Sequence, residues 1–368
     1  MRAMIVKEFR QLRRDRRTLA MMIVMPVLLL VILGYAASFN VPDVPTVVAG
    51  PGAAAVGRAL PKAFRLAGTY QASASAQAPA AWARDQLRDG HAAVAIVTGA
   101  GPGPQVLIDG SQLFDAQKAV QELAALRAGT PGDPITSAAT TTASVAGSAL
   151  AAPASVQILY NPELKTSFIM VPGLAGVILV FVGTVITSLG VVRERQAGTM
   201  EQLAVMPLRP ADVFGGKVIP YFAVALADLA IVLGVGVGIF GVPFRGSAAT
   251  FALGALLFVF VTLGLGVLIS SVSQTQGQAI QLAVMTLLPQ VLLSGLVFPL
   301  AAVTIGVRWI AYILPLTYFT EISRGVMLRA QPITSLWLPF ACLALLGVVV
   351  TTLATLRFRA FLAPGAGK

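Results

Sequence analysis

The chain has 368 residues, 57% of them hydrophobic and only 11% charged, with a formal net charge of +11. A soluble protein of this length carries about twice that charged fraction, so an ordinary soluble globule is excluded and lipid-facing helices are indicated. One cysteine (Cys342) and one histidine (His91) allow no disulfide framework within the chain and leave too few ligands for a protein-held zinc or iron site. The basic residues flank apolar runs, as in inner-membrane proteins. No basic groove with interleaved aromatics marks a nucleic-acid binder.

Residues 1–17 read as an amphipathic interfacial helix. Ile5, Phe9 and Leu12 recur at i, i+4 and i+7, while Lys7, Arg10, Arg13 and Arg14 face anionic headgroups. Residues 18–37 form span one, with Pro26 as a kink. Ala36-Ala37-Ser38 is a poor cleavage site, so span one is expected to stay uncleaved.

Residues 39–166 are the only large polar region. Strand-like runs at 44–49, 92–98, 105–109 and 156–160 alternate with helical runs at 80–88 and 113–127, which predicts a small α/β domain. Residues 128–154, rich in Thr, Ser, Ala and Gly, read as a tether or a weakly periodic helix. Further apolar runs follow at 167–192, 218–240, 249–271 and 279–298. The stretch 299–331 is interrupted by proline and holds Arg308, Trp309, Tyr312, Pro315, Tyr318, Glu321, Arg324 and Arg329. It is too polar for a span. A re-entrant helical hairpin shielded by protein would satisfy its backbone. The last span is 335–356, and 358–368 form a tail.

Lys and Arg set the orientation. Seven lie in the N-terminal arm, and Arg193, Arg195, Arg209 and Lys217 lie between spans two and three. Arg357, Arg359 and Lys368 follow the last span, whereas the turn after span three holds only Arg245. Both termini are therefore expected inside and the 39–166 domain outside. The expected fold is a polytopic α-helical membrane protein with six transmembrane helices, a re-entrant hairpin after span five, an N-terminal interfacial helix and an extracytoplasmic α/β domain. The transmembrane domain of five further spans covers 167–357, in a bacterial plasma (inner) membrane.

The most informative stretch is 192–221. Gly198 can end span two, Thr199 can cap a new helix with Gln202 as capping-box partner, and Pro207 ends it. Met200, Leu203 and Met206 share one side of this helix at 199–206, and Glu201 lies elsewhere on its surface. Exposed methionines and an acid suit a docking knob for another protein. An amphipathic linker lying on the membrane accounts for the same pattern.

The stretch E-R-x-x-G-T-M-E-Q-L-x-V-M-P-L-R-P-x-D-x-x-x-G-K resembles the signature of type-2 ABC-transporter permeases. K-E-F-R-Q-L-R-R-D-R-R-T-L at 7–19, Y-N-P-E-L at 160–164, V-P-G-L at 171–174, F-G-V-P-F-R-G-S at 240–247, L-L-S-G-L-V-F-P at 292–299 and L-P-L-T-Y-F at 314–319 extend the resemblance in order over nearly the whole chain. The branch with a long loop after span one is linked to export of drugs, antibiotics or toxic compounds.

The resemblance implies that two permease subunits pair, as a homodimer or with a related partner, and that each docks one ATP-hydrolysing subunit. Thr199, Met200, Glu201, Leu203 and Met206 would form the coupling helix, with Glu201 as polar anchor. Arg193 and Glu194 would tie the base of span two to the N-terminal helix. ATP and Mg would bind in the partner, and this chain would hold no cofactor and be no enzyme by itself. It lacks a P-loop: Gly215-Gly216-Lys217-Val218 has neither the first glycine at the right spacing nor the Ser/Thr. The outer domain would shape an exit path or dock a periplasmic adaptor.

Some polar residues fall inside spans. Asp228 lies roughly 15 Å deep, where a charge must face protein or water. It is either a substrate or ion contact or a buried acid that fixes packing. Thr184, Thr187, Ser188, Gln290 and Ser294 are candidates for a translocation path, with interhelical hydrogen bonding as the commoner role. Gly234, Gly236 and Gly238 are expected to permit close helix packing. An ion-coupled secondary transporter using Asp228 is the alternative function, although no inverted repeat of broken spans is evident. A membrane scaffold or sensor with 39–166 as receptor module is a third.

Overall fold

The computed structural model describes residues 43–71, 77–99, 103–127, 155–196 and 210–362. The predicted interfacial helix, span one, the 128–154 tether, the 199–206 helix and the end of the tail at 363–368 lie outside them.

Between Val44 and Leu159 the chain forms β1 (Val44–Ala49), α1 (Ala53–Arg58), β2 (Phe64–Tyr70), α2 (Pro79–Arg88), β3 (Val94–Val97), β4 (Gln105–Asp109), α3 (Leu113–Arg127) and β5 (Ser155–Leu159). One sheet results, ordered β2-β1-β3-β4-β5. β1 runs parallel to β2 and β3, β4 is antiparallel to β3, and β5 is parallel to β4. Side chains alternate between sheet faces. Val44, Val48, Val94, Ile96, Val106 and Ile108 therefore pack with α1 and α3, and Val47, Ala95, Val97 and Leu107 with α2. Both faces are covered, which is why these strands read as continuous apolar runs. The sequence anticipates β1, β3, β4, β5, α2 and α3 but not α1 or β2. Only Phe64 of β2 is buried, and Arg65, Gly68 and Thr69 break its apolar pattern, whereas the other edge strand, β5, keeps Val156, Ile158 and Leu159.

The joint between sheet and bundle is stiff. Tyr160 (φ 66) and Leu164 (φ 49) adopt left-handed backbone. The buried Asn161 side chain donates to Lys165 O at 3.1 Å and accepts from Lys165 N at 2.9 Å. The 160–164 motif thus sets the angle at which the first described bundle helix leaves the sheet.

That helix comprises α4 (Thr166–Val180), a π-helical segment (Phe181–Ile186) and α5 (Thr187–Gln196). It is followed by α6 (Pro210–Gly238), α7 (Ala248–Val272), α8 (Gln276–Leu293), a short 3-10 turn (Leu300–Ala302), α9 (Ile305–Ala311), α10 (Pro315–Met327) and α11 (Trp337–Leu362). Among the described residues four stretches are long and apolar enough to cross a membrane: Thr166–Arg193, Tyr221–Gly238, Ala248–Val272 and Trp337–Arg357. They coincide with predicted spans two, three, four and six. α8 occupies the place of span five, but it stops at Leu293 and falls outside that set. Gln276, Gln278, Gln281 and Gln290 lower its hydropathy.

Small residues set the helix spacing. A Cβ on Gly264 would meet Val350, and one on Gly254 would meet Ile322 and Phe340. α7 and α11 therefore run parallel. Gly236 meets Val171 and Gly190 meets Tyr221, so α6 runs antiparallel to α4–α5. Gly234 and Gly238, expected to pack closely, face open space within 4 Å; only Gly236 of the three has that role. α9 and α10 have 7 and 13 residues. Even α10, about 20 Å long, cannot cross a hydrocarbon core of roughly 30 Å. Arg245 N donates to Met327 O at 3.0 Å, and Ser335 Oγ donates to Asp89 Oδ1 at 3.0 Å. The chain beyond α10 thus returns to the sheet side of the bundle, where Leu300 and Ala301, ahead of α9, also lie against the Ser111–Asp115 turn. At the other end, Gln276 Nε2 donates to Gln196 Oε1 at 2.9 Å, close in sequence to the exposed Arg193.

Candidate functional site

α10 carries Thr317, Thr320, Glu321 and Arg324 at i, i+3, i+4 and i+7, one face of a helix. Leu316, Phe319, Ile322 and Val326 are fully buried on its other side. Phe319 stacks on Phe258 of α7 at 4.4 Å. A Cβ on Gly176 would meet Leu316 and Phe319, so glycine lets α4 approach. Pro315 starts the helix where no N–H is needed, and Thr317 Oγ1 ties it to Ala311 O at 2.6 Å.

The polar face of α10 looks into a cavity of about 310 Å³ beneath the sheet. Its other walls are the turn from Ser111 to Asp115, Gly90, Arg329, and the segment after α8 that includes Ser294 and Leu300. Asp109 at the end of β4 is fully buried behind that turn. Its Oδ1 accepts from Ser111 N at 2.9 Å and its Oδ2 accepts from Gln112 Nε2 at 3.4 Å. Arg329 Nη1 lies 3.7 Å from Asp109 Oδ2. Burial raises the Asp109 carboxyl above the usual carboxylate range, while Arg329, Ser111 and Gln112 oppose that shift. Gly90 (φ 78) makes room for Arg329, whose Nη1 would strike a Cβ there. Ala330, next in the chain, is held at φ 52, a costly conformation for alanine that keeps Arg329 on this wall.

Arg324 Nη1 donates to Gly295 O at 3.2 Å. Its Nε and Nη2, the Nε of Arg329, and the hydroxyls of Ser111, Ser294 and Thr320 are buried with no hydrogen-bond partner among the described residues. So many orphaned polar atoms in one place is unusual for a folded chain.

Asp115, in the first turn of α3, also has a buried Oδ1 without a partner. Burial first, and the nearby Asp109 second, push its carboxyl up to about 6, against the pull of Lys118. The folded chain therefore holds a proton that the unfolded chain has released. Its stabilising contribution is full below about pH 4 and is lost as pH rises through about 6. Thermal unfolding from pH 4.5 to 7.5 should show this loss, at most about 3 kcal/mol, and Asp115→Asn should flatten the profile in that window. An unchanged slope in the variant would refute the assignment.

Of the sequence-predicted path residues only Ser294 lines this cavity. Gln290 is buried one turn before it, with Nε2 donating to Thr286 O at 3.4 Å. Thr184 and Ser188 are buried against α7 and use their hydroxyls on their own helix, Thr184 to Val180 O at 2.6 Å and Ser188 to Val185 O at 2.9 Å. Thr187 Oγ1 is buried and unpartnered among the described residues. Among the described residues, Thr184 and Ser188 thus bond within their own helix and not between helices. Thr184 instead sits within the π-helical segment, a distortion frequent at functional sites. Asp228 is half-buried. Ala225 and Leu229 beside it are packed, whereas Val224, Ile231 and Val235 are exposed, so it stands at the rim of the packed face of α6. Its carboxylate makes no hydrogen bond or ion pair among the described residues. Arg193 is exposed at the bundle end remote from the sheet, and Glu194 follows it in α5. Thr199, Met200, Glu201, Leu203 and Met206 lie outside the described residues.

The sequence marks Glu321, Arg324 and Arg329 only as polar members of the 299–331 stretch, and it does not single out Asp109, Ser111 or Asp115. A usable signal existed in the i, i+3, i+4, i+7 polar stripe of 317–324. Nothing in the sequence joins that stripe to a turn more than 200 residues earlier.

The family described as "ABC-2 family transporter protein" matches residues 16–356. The chain is 35% identical over 178 residues to the "Probable multidrug ABC transporter permease YbhR" of Escherichia coli (strain K12), covering 48% of each chain. It is 32% identical over 173 residues to the "Probable multidrug ABC transporter permease YbhS" of the same organism, covering 47% of this chain and 46% of the relative. It is 31% identical over 204 residues to the "Inner membrane transport permease YhhJ", covering 54% of each. The chain thus spans about half the length of the curated relatives it matches.

Proposed function

Because this chain belongs to the ABC-2 transporter family, we propose that it is the membrane-spanning permease subunit of an ATP-driven exporter. The cargo is a small lipophilic or amphipathic compound, drug- or antibiotic-like, or a lipid, moved out of the cytoplasm or inner leaflet. The family match over residues 16–356 carries this reading, and the names of the two multidrug permease relatives support the cargo class. Six spans with both termini cytoplasmic complete the proposal, with span one at 18–37, α8 as span five, α9–α10 re-entrant and the sheet domain extracytoplasmic. The exposed Arg193 at the bundle end remote from the sheet agrees with that orientation.

Power comes from a separate ATPase, two copies per pair of permeases, which bind ATP and Mg. The 199–206 helix seats in each ATPase, with Met200, Leu203 and Met206 as apolar contacts and Glu201 as anchor. Arg193 and Glu194 of α5 tie the base of span two to the N-terminal helix. Thr184, Thr187, Ser188, Asp228, Gln290 and Ser294 contribute to the path. Co-purification with the ATPase should fail for Met200→Asp, and Glu201→Ala should lower stimulated ATP hydrolysis by about tenfold, the effect of roughly 1.4 kcal/mol at a contact. Wild-type assembly and turnover in both variants would sink the coupling assignment.

The unpaired Asp228 supports one competing reading, an ion-coupled transporter. That reading requires uptake into proteoliposomes driven by an ion gradient without ATP and abolished in Asp228→Asn.

A further inference from the structure

We propose that the cavity between α10 and the Ser111–Asp115 turn is a binding site for the phosphate of a zwitterionic amphiphile, with Arg324 as the principal ligand. Arg324 has no ion-pair partner among the described residues, and two of its donors, Nε and Nη2, are buried without an acceptor. Arg329, 8% exposed, presents a third such donor while its Nη1 is engaged by Asp109. Arg324 as a whole is half-buried, but buried guanidinium donors without a counter-ion are unfavourable, and the planar fork matches the oxygens of a phosphate. The hydroxyls of Thr320 and Ser294, each 2% exposed and unpartnered among the described residues, add donors from two walls of the same cavity.

The remaining wall chemistry narrows the ligand. Glu321 and Asp115 also line the cavity, so a bare anion would meet two acids as well as two guanidiniums. A ligand with an ammonium group a few atoms from its phosphate satisfies both sets. Leu113, Ile169 and Leu300 supply an apolar side. Ile169 lies in the first turn of a membrane-crossing stretch that begins at Thr166, which puts the cavity at headgroup depth. A volume of about 310 Å³ suits a headgroup and the start of its chains, at the small end of ligand pockets.

This site is independent of the exporter reading, and its test needs no ATPase. The full chain, purified in a phosphate-free sugar detergent, is titrated by calorimetry with inorganic phosphate, O-phosphoethanolamine and dihexanoyl phosphatidylethanolamine. Phosphoethanolamine should bind at least tenfold more tightly than inorganic phosphate. Arg324→Ala should weaken it at least tenfold, and Ser294→Leu, which fills the cavity without touching a charge, should weaken it similarly with an unchanged thermal midpoint. Tighter binding of the lipid than of phosphoethanolamine identifies a membrane source, and equal binding a soluble one. The proposal is overturned if none of the three probes binds, or if inorganic phosphate binds as tightly as phosphoethanolamine. It is equally overturned if Ser294→Leu binds phosphoethanolamine as the wild type does.

Discussion

Replacing Arg329 by methionine is expected to destabilise the folded chain by about 3–5 kcal/mol, the cost of leaving one member of a buried ion pair uncompensated. Asp109 is completely buried and Arg329 nearly so. Ser111 N and Gln112 Nε2 would still donate to the carboxylate, but neither carries charge. The pair also joins the sheet domain to the chain just beyond α10, alongside the bond from Ser335 to Asp89. Loss of Arg329 should therefore loosen the domain from the bundle as well as lower the unfolding midpoint. Asp109→Asn combined with Arg329→Met should recover most of the loss, because neither member of the pair is then left charged without the other. Thermal unfolding of the single and double variants in detergent, with limited proteolysis of the joint at 160–164, measures both effects. A double variant no more stable than Arg329→Met would show that the carboxylate charge is not the cause.

The second large effect is expected at Gly266. A Cβ there would run into the carbonyl oxygen of Gly183 and approach the Cβ of Thr187 at 2.9 Å. The neighbour is backbone in the π-helical segment, so it cannot swing aside as a side-chain tip would. Gly266→Leu should force α7 away from that segment, at a cost of about 3 kcal/mol, the upper range for overpacking. Gly234→Ala is the matched control in α6. Nothing lies within 4 Å of a Cβ at Gly234, and alanine is the better helix former by about 1 kcal/mol, so this variant should be neutral or slightly stabilised. Comparable losses of thermal midpoint in the two variants would remove the packing explanation.

These cases also separate what each level of structure decides. The spacing of apolar and small residues is local information, and it was enough for the four apolar spans and for β1, β3, β4 and β5. It was not enough for β2, where Arg65, Gly68 and Thr69 interrupt the apolar run and only Phe64 is buried. Nor did it tell Gly236, which meets Val171, from Gly234 and Gly238, which meet nothing. A helix's sequence carries its periodicity but not the identity of its neighbour. α8 shows the opposite limit: its place was legible, but its four glutamines and its end at Leu293 kept it out of the apolar set.

Sequence by itself determined that this chain carries long apolar helices suited to a membrane, a small α/β domain before the run at 167–192, and basic residues between 193 and 217. It also determined the family, because the recurring motifs follow one another along nearly the whole chain. Only the tertiary structure decided where the unpaired polar groups meet. Asp109 and Asp115 stand more than 200 residues from Glu321, Arg324 and Arg329; Asp115 shares a cavity with those three, and Asp109 pairs with Arg329 behind its wall, only because the joint after β5 seats the sheet on α10. Burial, not residue type, then raises the carboxyls and leaves the guanidinium donors without acceptors, and burial is a property of the assembled chain.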